Sequence, residues 1–381
     1  MIDTADFMDG LEQAGILFTT GVPDSLLKDI CACFSNKYGP NQHVIATNEG
    51  SAVGLAIGHY LATARPALVY LQNSGLGNVV NPVTSLADPL VYGVPMVLMI
   101  GWRGELLDDQ TQLADEPQHV KQGQVTLALL DTLGIPFRII DANTAAIDVV
   151  LKQVAAQALA RSGPVALVVR KNTFTRCDLT PAAQPAHELS REEAIRLILA
   201  ALPADAVIVS TTGMASRELF ELRKHAAAGH QRDFLTVGGM GHASQIASGI
   251  ALARPERTVV CLDGDGAVLM HAGALAISAD CANLLHIVLN NAAHDSVGGQ
   301  PTKGNVLHFD DMARVFGYRH ADYAISAGEL SEKLTRMLKR SEGSALLEVR
   351  CQRGARKDLG RPDRSPRQNK SDFMQFLSSH Q

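Results

Sequence analysis

Short apolar runs recur along this chain at intervals filled by stretches of helical period, and that alternation leaves little choice of architecture. Runs at 16–20, 43–46, 67–71, 96–100, 137–140 and 165–169 predict strands in the first half. Runs at 207–209, 234–237, 258–262, 285–289 and 345–349 predict strands in the second. Strands this short, rich in Val, Ile and Leu on both faces, belong in parallel sheets covered by helices. The expected fold class is therefore α/β, with two doubly wound parallel-sheet domains and no middle domain. Residues 172–189 carry Thr, Pro, Ala and Gln without a sustained apolar period, so they read as a linker between domains at 1–171 and 190–381.

A length of 381 residues suits two such domains. The formal net charge of −5 argues against nucleic acid or an anionic membrane as partner, because both require a positive surface field. The six cysteines show no CxxC spacing and read as reduced structural thiols. Asp3, Asp6 and Asp9 stand where a basic leader would lie, and no apolar run approaches the ~20 residues of a bilayer span. These features predict a cytoplasmic protein acting on small molecules. The last 31 residues depart from the acidic whole with a local charge of +4. They read either as a solvated, partly mobile terminus or as a segment near an anionic substrate.

The strongest chemical signal is an apolar run ending in Gly264-Asp265-Gly266, followed some two dozen residues later by another ending in Asn290-Asn291. At the carboxyl edge of a parallel sheet this pattern sets a carboxylate beside a carboxamide, where α/β proteins bind ligands. Hard oxygen ligands suit magnesium, which keeps water and substrate phosphates in its octahedron. The glycines leave room for a diphosphate at the following helix N-terminus. In the other half, Glu49 follows a predicted strand and opens a helix. By itself such a glutamate is a charge–dipole partner.

The GDG and NN pairing, taken with Glu49, resembles the thiamine-diphosphate-dependent enzymes. That resemblance implies thiamine diphosphate and Mg2+ as cofactors. It implies that Glu49 exchanges a proton with the pyrimidine ring, and that Asp265, Asn291 and the Ala293 carbonyl hold the metal. It further implies that Met240 wedges the cofactor into a bent shape while the Gly238 carbonyl accepts from the pyrimidine amino group. Gln72, Asn73, Thr212, Gly213, Gly264, Gly266 and Ala267 complete the expected cofactor contacts. Neither Gly239-x-Gly241 nor Gly264-x-Gly266 completes a G-x-G-x-x-G fingerprint, which disfavours a nicotinamide enzyme.

Segments 20–25, 72–78, 101–105, 115–123 and 294–302, with 358–362 in the tail, are similar to the phosphonopyruvate decarboxylase branch of that family. The branch implies decarboxylation of a short 2-oxo acid, with sulfopyruvate decarboxylation, carboligation or a non-catalytic cofactor-binding subunit as rivals. Arg103 and Lys121 are the candidate cations for a doubly anionic substrate. Asp24, His119, His294 and Asp295 are candidate proton carriers in loops of the same segments. Family membership also implies a homodimer or higher homo-oligomer, with Glu49 of one chain facing Asp265 of another. Residues 106–113 look longer than the branch requires.

Overall fold

The protein is described by a computed structural model that covers residues 1–107, 109, 111–180, 187–340 and 342–379. It divides into two units, 1–182 and 183–381. The first contains β1 (Thr19–Gly21), β2 (His43–Ile45), β3 (Ala67–Gln72), β4 (Met96–Gly101), β5 (Phe137–Ile140) and β6 (Pro164–Val169). The second contains β7 (Val207–Ser210), β8 (Asp233–Leu235), β9 (Val259–Gly264), β10 (Leu284–Asn290), β11 (His320–Ala324) and β12 (Ala345–Arg350).

All pairings are parallel, and the orders are β2-β1-β3-β4-β6-β5 and β11-β12-β10-β9-β7-β8. Renumbered from its own first strand and read from the other edge, the second order is identical to the first. The strand reading of the sequence holds for eleven of these twelve strands. Central strands β3, β4 and β6 are buried along almost their whole length, which explains why they read as unbroken apolar runs. Each fully buried Val, Leu or Ile there contributes roughly 1.5–3 kcal/mol.

The strand the sequence did not reveal is β11. It is an edge strand of sequence His-Ala-Asp-Tyr-Ala, mostly exposed or half-buried, so apolar patterning was never required of it. The first strand starts three residues later than expected, because Gly15 takes a left-handed turn (φ 77°) after the opening helix Thr4–Gln13.

Strand order fixes where ligands bind. From β1 the chain moves outward to β2, and from β3 it moves outward the other way to β4, which opens a crevice at the carboxyl ends of β1 and β3. The same switch lies between β7 and β9. Every candidate site residue lies at or beyond a carboxyl end in one of the two sheets.

Three further expectations meet the structure here. Residues 172–180, within the expected linker, pack on the first unit: Phe174 bridges to Ile2, and Cys33 is disulfide-bonded to Cys177, so not all thiols are free. The basic tail is not a mobile terminus as far as residue 378. Its helix Pro366–Ser379 buries Phe373 and Phe376, and the Asn369 side chain bonds both Asp233 and Leu235 of β8. Of its cations, Arg356 pairs with Glu192, Glu221 and Asp358, and Arg364 with Asp372. In the long stretch 106–113, Leu106 and Gln112 form an antiparallel bridge, and Asp108 and Gln110 lie outside the described residues.

Candidate active site

Glu49 opens the helix Glu49–Thr63 directly after β2, with Asn48 as N-cap accepting from the Ser51 N–H at 2.8 Å. The cap fixes the first turn, and the turn points the Glu49 side chain inward until only 6% of the residue is exposed. Burial raises its carboxyl above the ordinary value of 4.5, and a hydrogen bond from the Asn78 amide to Oε2 at 2.7 Å pulls it part-way back. A carboxyl shifted in that direction is suited to carrying a proton.

Gly75 completes the pocket. A Cβ there would lie 2.4 Å from Glu49 Oε1, so glycine is what lets the carboxylate sit where it does. Gly75 has ordinary φ, and the atoms a methyl would strike, Oε1, Cδ and Cγ of Glu49, belong to one side chain that can swing aside. Gly75→Ala is therefore expected to fold with a near wild-type melting temperature while displacing the carboxylate, lowering kcat by about 100-fold. Paired thermal melts and turnover assays check this; an unchanged kcat would show that the Glu49 position is not critical. Neither Gly75 nor Asn78 was assigned a role from sequence, because their function lies in what they touch.

Around the ends of β1, β3 and β4 the structure gathers Asp24, Arg103, Asp115 and His119. Asp24 is fully buried against Gly101, and a Cβ on that glycine would land on its carboxylate. Burial pushes Asp24 up to about 6, against a partial counter-effect of nearby backbone N–H groups and Arg103. Arg103 donates two bonds to Asp115, at 2.8 and 2.5 Å, and a third to Ser25 Oγ at 2.8 Å. This pairing holds the Asp115 carboxyl well below the usual carboxylate range. His119 is buried, which lowers its pKa, and Arg103 lowers it further.

Asn73, expected at the cofactor, uses its amide to fasten the Arg103 loop: it bonds the Arg103 carbonyl at 2.9 Å, Thr126 Oγ1 at 3.0 Å and the Arg103 N–H at 3.3 Å. Gln72 is half-buried at the end of β3, and Lys121 is exposed on the helix Pro117–Thr132.

In the second unit β9 and β10 are neighbours, with Gly264 opposite Leu289, so the two motif ends lie side by side. Asp265 is buried at the start of the helix Asp265–Met270, and burial pushes its carboxyl up to about 7. Its Oδ2 accepts from the Thr302 hydroxyl, whose oxygen in turn accepts from the Gly304 N–H at 3.0 Å. Asn290 donates to the Gly304 carbonyl and to Glu348, both at 2.8 Å. Asn291 Oδ1 accepts from the Ala293 N–H at 3.1 Å, and Ala292 between them takes a left-handed φ of 53°. That turn sets the Ala293 carbonyl close after the asparagine.

The other expected contacts lie around these ends. Gly213 (φ 96°) caps the helix Met214–His225, with half-buried Thr212 before it. Met240 is half-buried in the turn of Gly238-Gly239-Met240-Gly241, where His242 Nδ1 lies 3.2 Å from the Met240 carbonyl and the His242 ring packs on His271. Ala267 is buried, and Gly266 packs beside the His294 ring, which burial lowers to about 4. Asp295 Oδ2 accepts from Arg191, Asn291 and the Gly354 N–H, a set invisible in sequence because its members lie as much as 163 residues apart.

Comparison with known proteins now decides the family. Residues 4–126 match the thiamine pyrophosphate enzyme N-terminal TPP binding domain, and residues 211–349 match the thiamine pyrophosphate enzyme C-terminal TPP binding domain. The chain is 33% identical to phosphonopyruvate decarboxylase of Streptomyces viridochromogenes, over 100% of this chain and 96% of that one. The chain belongs to the thiamine-diphosphate-dependent decarboxylases. Phosphonopyruvate decarboxylase of Streptomyces hygroscopicus is also 33% identical, over 99% of this chain and 94% of its own. Sulfopyruvate decarboxylase of Methanosarcina acetivorans is 29% identical over 77% and 76%.

The residues of this decarboxylase fit the family's cofactor, thiamine diphosphate with magnesium. Asp265, Asn291 and the Ala293 carbonyl are three hard oxygen donors at adjacent strand ends, the set magnesium prefers. A carboxylate 2% exposed and raised to about 7 is one that lacks a countercharge a divalent cation supplies.

Proposed function

We propose that this decarboxylase converts 3-phosphonopyruvate to phosphonoacetaldehyde and carbon dioxide. The observation that carries the reading is the full-length similarity to two phosphonopyruvate decarboxylases, against a shorter match to sulfopyruvate decarboxylase. When bound, thiamine diphosphate supplies a nucleophilic carbon and an electron sink for the electrons that the departing carboxylate leaves behind. Glu49 holds or releases a proton at the pyrimidine, and Asp265, Asn291 and the Ala293 carbonyl hold the magnesium. The reaction replaces a carboxylate with a hydrogen, so one proton must be delivered to the reacting carbon. Asp24, with its pKa near 6, is the donor that the electrostatics favour, with His119 of the same unit and His294 of the second unit as further candidate carriers. We assign the phosphonate to Arg103 and Lys121, the first already oriented by Asp115.

The active assembly in this reading is a homodimer or a multiple of it, with Glu49 of one chain facing Asp265 of its partner. The exposed Leu55 and Leu61 on the helix that begins with Glu49 support a protein partner there. So does the cleft of about 760 Å³ beside it, lined by Phe18, Val44, Ile45 and Ala46. Among the described residues no helix is long and apolar enough to cross a membrane. For a cytoplasmic setting the thiols divide: four are free and buried, while Cys33 and Cys177 are paired.

The test offers purified protein, thiamine diphosphate and Mg2+ each of phosphonopyruvate, sulfopyruvate and pyruvate. Preferential release of phosphonoacetaldehyde is expected. A higher kcat/KM for sulfopyruvate would replace the substrate and leave the chemistry intact.

A further inference from the structure

The loop that follows β10 is held from outside by groups that no part of the chemistry above uses. Arg191 is 6% exposed, at the first position of the helix Arg191–Ala201. A cation is disfavoured there by the helix dipole, so its place needs another cause. Its Nε and Nη2 donate to the Glu218 carboxylate at 2.7 and 2.9 Å, and its Nη1 donates to Asp295 Oδ2 at 3.0 Å. The same Asp295 oxygen accepts from the Asn291 amide at 2.5 Å and from the Gly354 N–H at 2.9 Å. Arg353, next in the chain to Gly354, donates to the Ala292 carbonyl at 3.0 Å.

We propose that Arg191, braced by Glu218, is a positioning residue for the metal: it fixes Asp295, and Asp295 fixes which way the Asn291 amide faces. An oxygen that already accepts from Arg191 and the Gly354 N–H offers Asn291 only an acceptor, so Asn291 turns its NH2 toward Asp295 and its oxygen away. That oxygen keeps one lone pair beyond the Ala293 N–H, available to a cation. With Asp295 released, the amide could reverse and present N–H to magnesium, which repels it. The Glu218, Arg191 and Asp295 group, joined to Asn291 through Asp295, also sets two carboxyl groups against one guanidinium, an arrangement that favours a divalent cation. Asp295 is on this account a positioning residue and not a proton carrier.

The inference rests on reading Asn291 and Ala293 as metal ligands. Changing Arg191 alone would strand two buried carboxylates, so the first test replaces the pair together, Arg191→Met with Glu218→Gln. Asp295→Ala is the second variant, since it removes the accepting oxygen, which an asparagine would keep, and leaves the Arg191–Glu218 pair intact. The control is Arg223→Met with Asp233→Asn, another buried pair of the same unit, which sits at the amino end of β8. Calorimetric titration with Mg2+ and thiamine diphosphate, thermal melts and Mg2+ activation curves are the readouts.

Mg2+ affinity is expected to fall about 10- to 100-fold in the pair variant and in Asp295→Ala, the range for groups that orient a metal ligand. Both should recover most of kcat at saturating Mg2+, and the control should lose melting temperature without losing Mg2+ affinity. Wild-type Mg2+ affinity in Asp295→Ala, or an equal loss in the control, overturns the inference. Asn291→Ala separates the two levels. If it binds Mg2+ like wild type, the ligand reading itself is wrong; if it loses Mg2+ while the Arg191 and Asp295 variants do not, only the positioning role falls.

Discussion

Glu49→Gln is expected to bind thiamine diphosphate and Mg2+ as the parent does while kcat falls by about 100- to 10,000-fold, the usual range for a lost general acid–base group. Glutamine keeps the volume in the space beside Gly75 and can still pair with Asn78, so shape and cofactor contact survive. What it cannot do is exchange a proton. Decarboxylation followed by carbon dioxide release, beside calorimetric cofactor binding, separates the two; parent-like turnover in a cofactor-binding variant would remove Glu49 from the mechanism.

The same substitution has a stability signature whose sign follows from burial. The folded state raises the Glu49 pKa above its ordinary 4.5, so the folded protein holds this proton more tightly than the unfolded chain does. The parent therefore loses stability as pH rises from about 4.5 through the raised value. Glu49→Gln escapes that loss. Its melting temperature should exceed the parent's at pH 8 by more than at pH 4, and an equal offset at both would contradict the burial argument.

Asp265→Ala is expected to lower the affinity for magnesium and thiamine diphosphate by more than about 100-fold, since a direct ligand outweighs the groups that merely orient one. Without that carboxylate the metal retains only the neutral oxygens of Asn291 and Ala293 among the assigned ligands. The fold should survive, because the lost group is a desolvated carboxylate bonded to Thr302. A melt of the cofactor-free variant at or above the parent's temperature, with no further rise on adding Mg2+ and thiamine diphosphate, is the expected pair of results. A normal rise would place the metal elsewhere.

The sequence by itself determined the architecture and the cofactor motifs. Parallel strands covered on both faces must be apolar throughout, so β3, β4 and β9 could hardly be read otherwise. The Gly264-Asp265-Gly266 and Asn290-Asn291 pair is local to two strand ends, and register then brings those ends together. Edge strand β11 escaped because exposure frees a strand from any hydrophobic pattern. The tail read as solvated because its cations are plain in sequence, while their partners Glu192 and Glu221 are not.

Only the tertiary structure decided how the side chains are engaged. Gly75 makes room for Glu49, Asn78 tempers its pKa, Asn73 is spent on the Arg103 loop, and Asp295 is filled by Arg191, Asn291 and Gly354. Residue type and spacing say which groups a loop offers, whereas hydrogen-bond capacity is finite and is consumed by neighbours distant along the chain.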